Sequence, residues 1–373
     1  MRRIGFYLFI MAVFLLAPLL ALPQKAVPAP AAAPTPTPTA AARAAAPYRA
    51  VWVSYLEWEQ VDFSSAEAFT QAIGTMLDNI QSIGATVVLA QVRPFGDALY
   101  PSDYFPFSHL CTGTQGQDPG FDPLALLVDA AHARDLQLEA WVNPYRIQAG
   151  QTPALCGASP ARLHPDWVRY TDTGAYLDPA SADVRQYIAD GVGELCARYA
   201  VDGIHFDDYF YPTTDPTFDA ADYAASGSTR TQDDWRRENV NALMELCHDA
   251  ARWLRQGTVD YLMPQLYWGQ EYIKNGDASH SFAQLAAAWA ALPRAAGVKL
   301  YAGLGAYRVG AGDGSDAGSE WFSGHALADQ LALLARLGVQ GAGLYRYGSL
   351  FANSGAPALA ESEAEAIKGV WQG

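Results

Sequence analysis

The run Asp202-Gly203-Ile204-His205-Phe206-Asp207-Asp208-Tyr209 sets two adjacent carboxylates at the end of a short apolar stretch. A β-strand turns alternate side chains to opposite faces, so His205 and Asp207 share one face and Phe206 and Asp208 the other. With the first pair turned to the axis of a barrel, Asp207 stands at the strand's C-terminal end, the place from which barrel enzymes act. Carboxylates so placed suit glycosidic cleavage, in which one group is base or nucleophile and a protonated partner, roughly 5–10 Å away, is the acid. Asp207 is the candidate nucleophile or charge-stabilising group. Asp208, on the other face, is expected to order the following loop or to shift its neighbour's pKa. No residue is marked as the acid, and a surface turn or helix cap is the alternative use of such an Asp pair.

Other strand ends supply polar and aromatic groups that suit a sugar site. Gln91 and Arg93 close one strand, with Asp97 just beyond; Trp141, Asn143 and Arg146 end another; Gln265, Tyr267 and Trp268 end a third; Tyr209 follows the carboxylates. Arg93 and Arg146 are suited to gripping a substrate hydroxyl or carboxylate, or to holding Asp207 ionised, although salt-bridge roles are open to both. Glu57, Glu59, Asp97 and Asp103 are spare carboxylates, each expected to be solvated or a second acid. The seven histidines form no ligand-like cluster, so the scheme calls for no metal and no cofactor.

Elements that would position these residues alternate along the chain. Strands are expected at Ala50–Tyr55, Ala85–Val92, Leu136–Val142, Gly203–Asp207, Tyr261–Tyr267, Lys299–Leu304 and Gly341–Tyr345. Helices are expected near Ser65–Ser82, Pro123–Arg134, Ala182–Tyr199, Asp233–Trp253, Ser281–Ala291, Gly324–Leu337 and Ala358–Trp371. That alternation reads as an α/β fold of parallel strands joined by crossover helices. No G-x-G-x-x-G loop follows an early strand, which argues against a dinucleotide fold. The longest connections, Arg93–Phe121, Asn143–Ser181 and Asp208–Gln232, all follow strands, as in a TIM (β/α)8-type barrel with its site on one face. Seven strands are counted where eight are expected. The helix after the fourth runs through Ala250 and Arg252 toward Gly257 with no room for a fifth strand unit.

The runs Gln91-Val92-Arg93-Pro94, Gly96-Asp97-Ala98-Leu99-Tyr100-Pro101-Ser102, Ala140-Trp141-Val142-Asn143-Pro144-Tyr145-Arg146, Gly203-Ile204-His205-Phe206-Asp207-Asp208-Tyr209-Phe210-Tyr211-Pro212 and Met263-Pro264-Gln265-Leu266-Tyr267-Trp268 resemble the bacterial glycosyl-hydrolase-like 10 family. The resemblance spans nearly all of Tyr48–Tyr347. It implies a TIM-barrel glycosidase fold, export to the cell envelope and, where activity is known, cleavage of peptidoglycan glycan strands. The sequence departs from the family where a strand and loop should separate Asp249 or Ala250 from Ala251, which is the same gap that the strand count finds.

The net charge of -15, without a Lys/Arg cluster, excludes nucleic acid as a natural partner. Residues 1–22, with Arg2 and Arg3 ahead of an apolar run from Ile4 to Leu22, read as a signal peptide or an N-terminal membrane anchor, and so place the body outside the cytoplasm. Residues 23–46 are a Pro/Ala/Thr spacer, and 47–373 form the barrel domain. Of four cysteines, Cys111 and Cys156 fall in long loops and are able to pair, whereas Cys196 and Cys247 look like small buried apolar residues; four free thiols are the alternative. The expected partner is a polysaccharide or glycan strand. The rivals are a sugar-binding barrel without turnover and a metal-assisted deacetylase or esterase, the latter disfavoured by the lack of a ligand cluster or a G-x-S-x-G elbow.

Overall fold

A computed structural model describes residues 47–208, 210–251, 260–292, 297–317 and 320–373, with only the backbone described at 245–251. The expected signal or anchor, the spacer and Tyr209 lie outside these residues, as does the continuation of the helix from Arg252 to Gly257. The strands are β1 (Tyr48–Val53), β2 (Val87–Arg93), β3 (Gln137–Val142), β4 (Arg146–Ala149), β5 (Val168–Thr171), β6 (Gly174–Leu177), β7 (Gly203–Phe206), β8 (Tyr261–Leu262), β9 (Gln265–Leu266), β10 (Lys299–Gly305) and β11 (Gly341–Tyr345). The main helices are α1 (Ala66–Ser82), α2 (Pro123–His132), α3 (Ala182–Arg198), α4 (Gln232–Ala251), α5 (Phe282–Ala291), α6 (Ala326–Arg336) and α7 (Pro357–Gln372).

Helix starts follow their caps. Ser65, Asp122, Ser181 and Ser281 each accept a backbone N–H of the first turn, and Pro123 occupies a position that needs no donor.

All the main strands run parallel, in the order β7-β3-β2-β1-β11-β10, with β8 and β9 both on the far side of β10. They form a curled half-barrel of seven strand positions. β8 and β9 are one strand interrupted at Pro264: Tyr261 pairs with Lys299 and Gln265 with Gly303, so the register is unbroken. Among the described residues no backbone ladder joins β7 to β8 or β9, and the seam lies where the fifth unit was missed in the sequence.

Alternation divides the core in two. Ala50, Trp52, Val87, Leu89, Trp141 and Tyr301 pack inside the curl, while Val51, Val53, Val88, Ala90 and Val142 face the helices. Trp52, fully buried, lies over β10 and β11 at two glycines. A Cβ at Gly343 would stand 2.4 Å from its ring, and one at Gly303 3.2 Å.

Two features escaped the sequence reading. The connection Asn143–Ser181 contains the antiparallel sheet β4-β6-β5, which packs Tyr145, Ile147, Val168 and Leu177 against Val184 and Ile188 of α3 and Leu243 of α4. Its signal was present: Val168–Thr171 and Gly174–Leu177 flank the two-residue turn Asp172-Thr173. The second feature is a bulge in β2. Gln91 stands opposite Trp141 and Arg93 opposite Val142, so two steps in β2 match one in β3.

Glu363 of α7 is fully buried, and its carboxyl accepts the Ala326 and Leu327 amides at the start of α6. Burial pushes its pKa up to about 7, against which the two amides work. Because the folded state holds this proton more tightly than the unfolded chain, stability falls as pH rises from about 4.5 to about 7 and is then level. The expected result is a thermal midpoint for the wild type that gains on Glu363→Gln as pH is lowered through this window, measured by paired melting curves.

Candidate active site

At the end of β7 the Asp207 amide continues the ladder to the Val142 carbonyl, 3.4 Å, which keeps its side chain on the inner face above His205. One Asp207 oxygen accepts the Asp208 amide at 2.7 Å and the other the Gln265 Nε2 at 2.7 Å. Burial raises its pKa above the usual carboxylate range, opposed by those two donors and by the nearby Arg146 charge. A half-buried carboxylate with both oxygens oriented is more basic than a solvated one, as a nucleophile or proton acceptor requires.

Asp208 turns away. Its φ of 98° lies in the left-handed region that non-glycine residues avoid, at a cost of order 1–3 kcal/mol. The turn directs its carboxylate onto the Arg146 guanidinium of β4, with both side chains largely buried. The partner lies on β4, in the connection before β7, and not in the loop after Asp208 that it was expected to order. Arg146 thus serves both acids, one by contact and one by proximity.

Aromatic rings surround Asp207. Tyr267 stacks on Tyr345, with centroids 5.7 Å apart, and Tyr307 stands edge-on to both. Burial and the Asp207 charge hold the Tyr267 phenol well above its ordinary pKa; burial pushes Tyr345 up to about 12, Arg346 working against it. Tyr345 and Tyr307 were missed by sequence reading, although each closes or follows a strand, which is the signal that selected Tyr267. Trp141 lies one layer below, edge-on to His205 and Tyr345, with a buried indole N–H that has no hydrogen-bond partner among the described residues. Trp268 is half-buried against His280.

His205 is enclosed beneath Asp207 rather than offered to a ligand. Its Nε2 accepts the Trp52 indole N–H at 3.3 Å, so the ring proton of the neutral imidazole sits on Nδ1, which donates to the Tyr261 hydroxyl at 2.8 Å. Tyr261 in turn donates to Glu139 at 2.6 Å. Burial drives the His205 pKa down to about 3, so it stays neutral.

Several expected site residues serve the frame instead. The β2 bulge turns Arg93 to the helix side, where its guanidinium covers Phe105 at 4.2 Å beside Gly191 of α3. Asp97 is fully buried and accepts from His109 and Gln115, which fastens the long loop after β2. Gln91 accepts the Tyr55 amide, and Asn143 donates to the Pro94 carbonyl. Glu57, expected at a solvated surface, is instead 5% exposed and fully engaged: Ser54, Arg346 and the Gly348 amide all bind its carboxylate. Glu59 and Asp103 are exposed, Asp103 pairing with Arg198. The thiols of Cys111 and Cys156 are free, so the pairing open to them in the sequence is not formed; Cys196 is buried, and Cys247 lies among the side chains not described. Among the described residues no group of His, Cys, Asp and Glu could hold a metal, and no helix is long and apolar enough to cross a membrane.

The sequence pattern of the family described as glycosyl hydrolase-like 10 matches residues 47–248, ending just before the seam. The chain is similar to glycosyl hydrolase YngK of Bacillus subtilis, at 32% identity over 70% of this chain and 61% of that protein. It is also similar to glycosyl hydrolase DigH of Escherichia coli, at 31% identity over 72% of this chain and 75% of that one. It thus spans about three fifths of the length of the first relative. Among solved structures, an α-L-fucosidase isoenzyme 2 from Paenibacillus thiaminolyticus aligns with a TM-score of 0.58 at 13% identity, over 87% of this chain and 49% of that one. The PgaB (BpsB) glycoside hydrolase domain from Bordetella bronchiseptica aligns at 0.53 and 17%, over 87% and 99%. These two likenesses support the TIM-barrel type of fold, while the sequence matches support descent. The chain belongs to the glycosyl hydrolase-like 10 family.

Proposed function

We propose that this protein hydrolyses O-glycosidic bonds in a polysaccharide of the cell envelope, with peptidoglycan glycan strands as the substrate class, and that Asp207 is the nucleophile or charge-stabilising carboxylate. The observation that carries the reading is Asp207 itself: a half-buried carboxylate at a barrel strand's C-terminal end, with both oxygens oriented and Tyr267 and Tyr345 around it. Sugar rings stack on such aromatic surfaces, and the surrounding N–H and O–H groups suit their hydroxyls. Work outside the cytoplasm, released or held by the N-terminus, belongs to the same proposal and rests on the Arg2-Arg3 and Ile4–Leu22 pattern.

A second reading, a sugar-holding barrel without turnover, is favoured by one observation. Among the described residues the curl has seven strand positions, with a seam where a complete barrel would carry its fifth strand unit and the part of the rim that this unit supplies. Incubation of the purified protein with purified glycan strands separates the two: new reducing ends support the hydrolase, whereas co-sedimentation with the strands but no new ends supports the binder.

A further inference from the structure

The strands β7 and β8/β9 face one another across the seam without a backbone ladder among the described residues, yet side chains join them at two levels. At the lower level His205 donates to the Tyr261 hydroxyl, and at the upper level Gln265 donates to Asp207. Tyr261 and Gln265 belong to one register along β10, so the position of the first constrains the second. The lower link is itself anchored. Tyr261 donates to Glu139 of β3, which also accepts from Tyr48 of β1 at 3.1 Å, and the Trp52 indole fixes which nitrogen of His205 carries the proton. The direction of every bond follows: His205 to Tyr261 to Glu139. The Tyr261 ring packs against Tyr48 and Tyr301, with centroids 5.4 and 4.9 Å away.

We propose that Tyr261 is a positioning residue: by bonding across the seam to both His205 and Glu139, its hydroxyl holds the β8–β9 stretch in place and so keeps Gln265 on Asp207. The consequence for catalysis rests on the reading of Asp207 given above, but the positioning does not. The groups facing Asp207 are Gln265 of β9, the Asp208 amide, Arg146 of β4, and the phenols of Tyr267 and Tyr345. Of these, Gln265 and Tyr267 lie on the stretch that Tyr261 holds, and Gln265 is the one that bonds the carboxyl. Its donated bond stabilises the ionised carboxyl, so losing it lets the Asp207 titration midpoint rise.

The test is carbon-13 NMR of the full chain with labelled aspartate carboxyls, the Asp207 signal being assigned with Asp207→Asn. In Tyr261→Phe, which keeps the ring packing, the Asp207 midpoint is expected to move up by on the order of half a unit to one unit. Tyr301→Phe, a change in the same aromatic cluster that leaves the chain of bonds intact, is expected to leave the midpoint where it is. A folded Tyr261→Phe with an unmoved midpoint, or an equal shift in Tyr301→Phe, overturns the proposal. Should Tyr261→Phe fail to fold, Glu139→Gln weakens the same anchor, and the same two outcomes apply to it. The titration is read without substrate, so a protein that cleaves no glycan still decides this point, while turnover on glycan strands decides the other.

Discussion

Replacing Asp207 by Asn is expected to lower turnover on glycan strands by at least about 10³-fold, because the charge that attacks or stabilises an oxocarbenium-like centre is removed while the shape stays. Folding is expected to survive. A carboxyl whose folded pKa lies above its unfolded value weakens the fold once it ionises, so an uncharged Asn at this place removes a cost rather than a support. The same shift sets the pH dependence of the wild type: activity should fail on the acid side as pH drops through the raised Asp207 pKa, above the range of an ordinary aspartate. Rates from new reducing ends, together with melting curves, check both halves. A variant that keeps comparable turnover removes Asp207 from the mechanism, and loss of the fold would remove the argument about charge. Asp208→Asn is expected to be milder in rate, since Asp208 is bound to Arg146 and its backbone, not its carboxylate, reaches Asp207.

Glu57→Ala should lower stability strongly, by on the order of 3 kcal/mol. The carboxylate is buried, and it completes a capping box with Ser54 while binding Arg346 and the Gly348 amide from the loop after β11. Truncation leaves a guanidinium, a hydroxyl and two amides without their acceptor; the Ser54 groups are fully buried and bear most of the cost, while Arg346 is partly exposed. Glu57→Gln keeps the shape and some of the bonds and should lose less. Denaturant midpoints of the two variants, compared at equal slope, measure the difference. An alanine variant within about 1 kcal/mol of the wild type would mean that the loop relaxes to find other partners.

Much of this architecture was legible because its physical causes are local. Short continuous apolar runs such as Val87–Ala90 and capped helices such as Asp122-Pro123 declare themselves within a few residues, so the seven expected strands and the seven expected helices have counterparts in the structure. The place of Asp207 on the inner face was legible for the same reason: alternation from His205 sufficed. Arg93 was not, since it shares a face with Gln91 in a regular strand, and the bulge that reverses it appears only in the pairing with β3. Asp97 and Glu57 misled in another way. Both look solvated in one dimension, but partners 12 and 289 residues away enclose them; Ser54-x-x-Glu57 was a local signal of a capping box, whereas nothing local records the meeting with Arg346. Glu139 is the converse case, a charged residue between apolar neighbours in β3, whose partner Tyr261 lies 122 residues on.

The tryptophan that fills the curl against two glycines carries a consequence for how such sequences diverge. At Gly343 any side chain must enter the space of the Trp52 ring, while at Gly303 the 3.2 Å clearance is tight and asks the ring to give by a few tenths of an ångström. Neither glycine is free to drift alone, because a methyl at position 343 forces the indole aside, and the indole also carries the N–H that fixes the His205 proton. A smaller residue at position 52 would release both glycines but leave a void and His205 without its donor. The three positions are therefore expected to change as a set among descendants of a common ancestor, with His205 as the fourth member whenever the indole is lost.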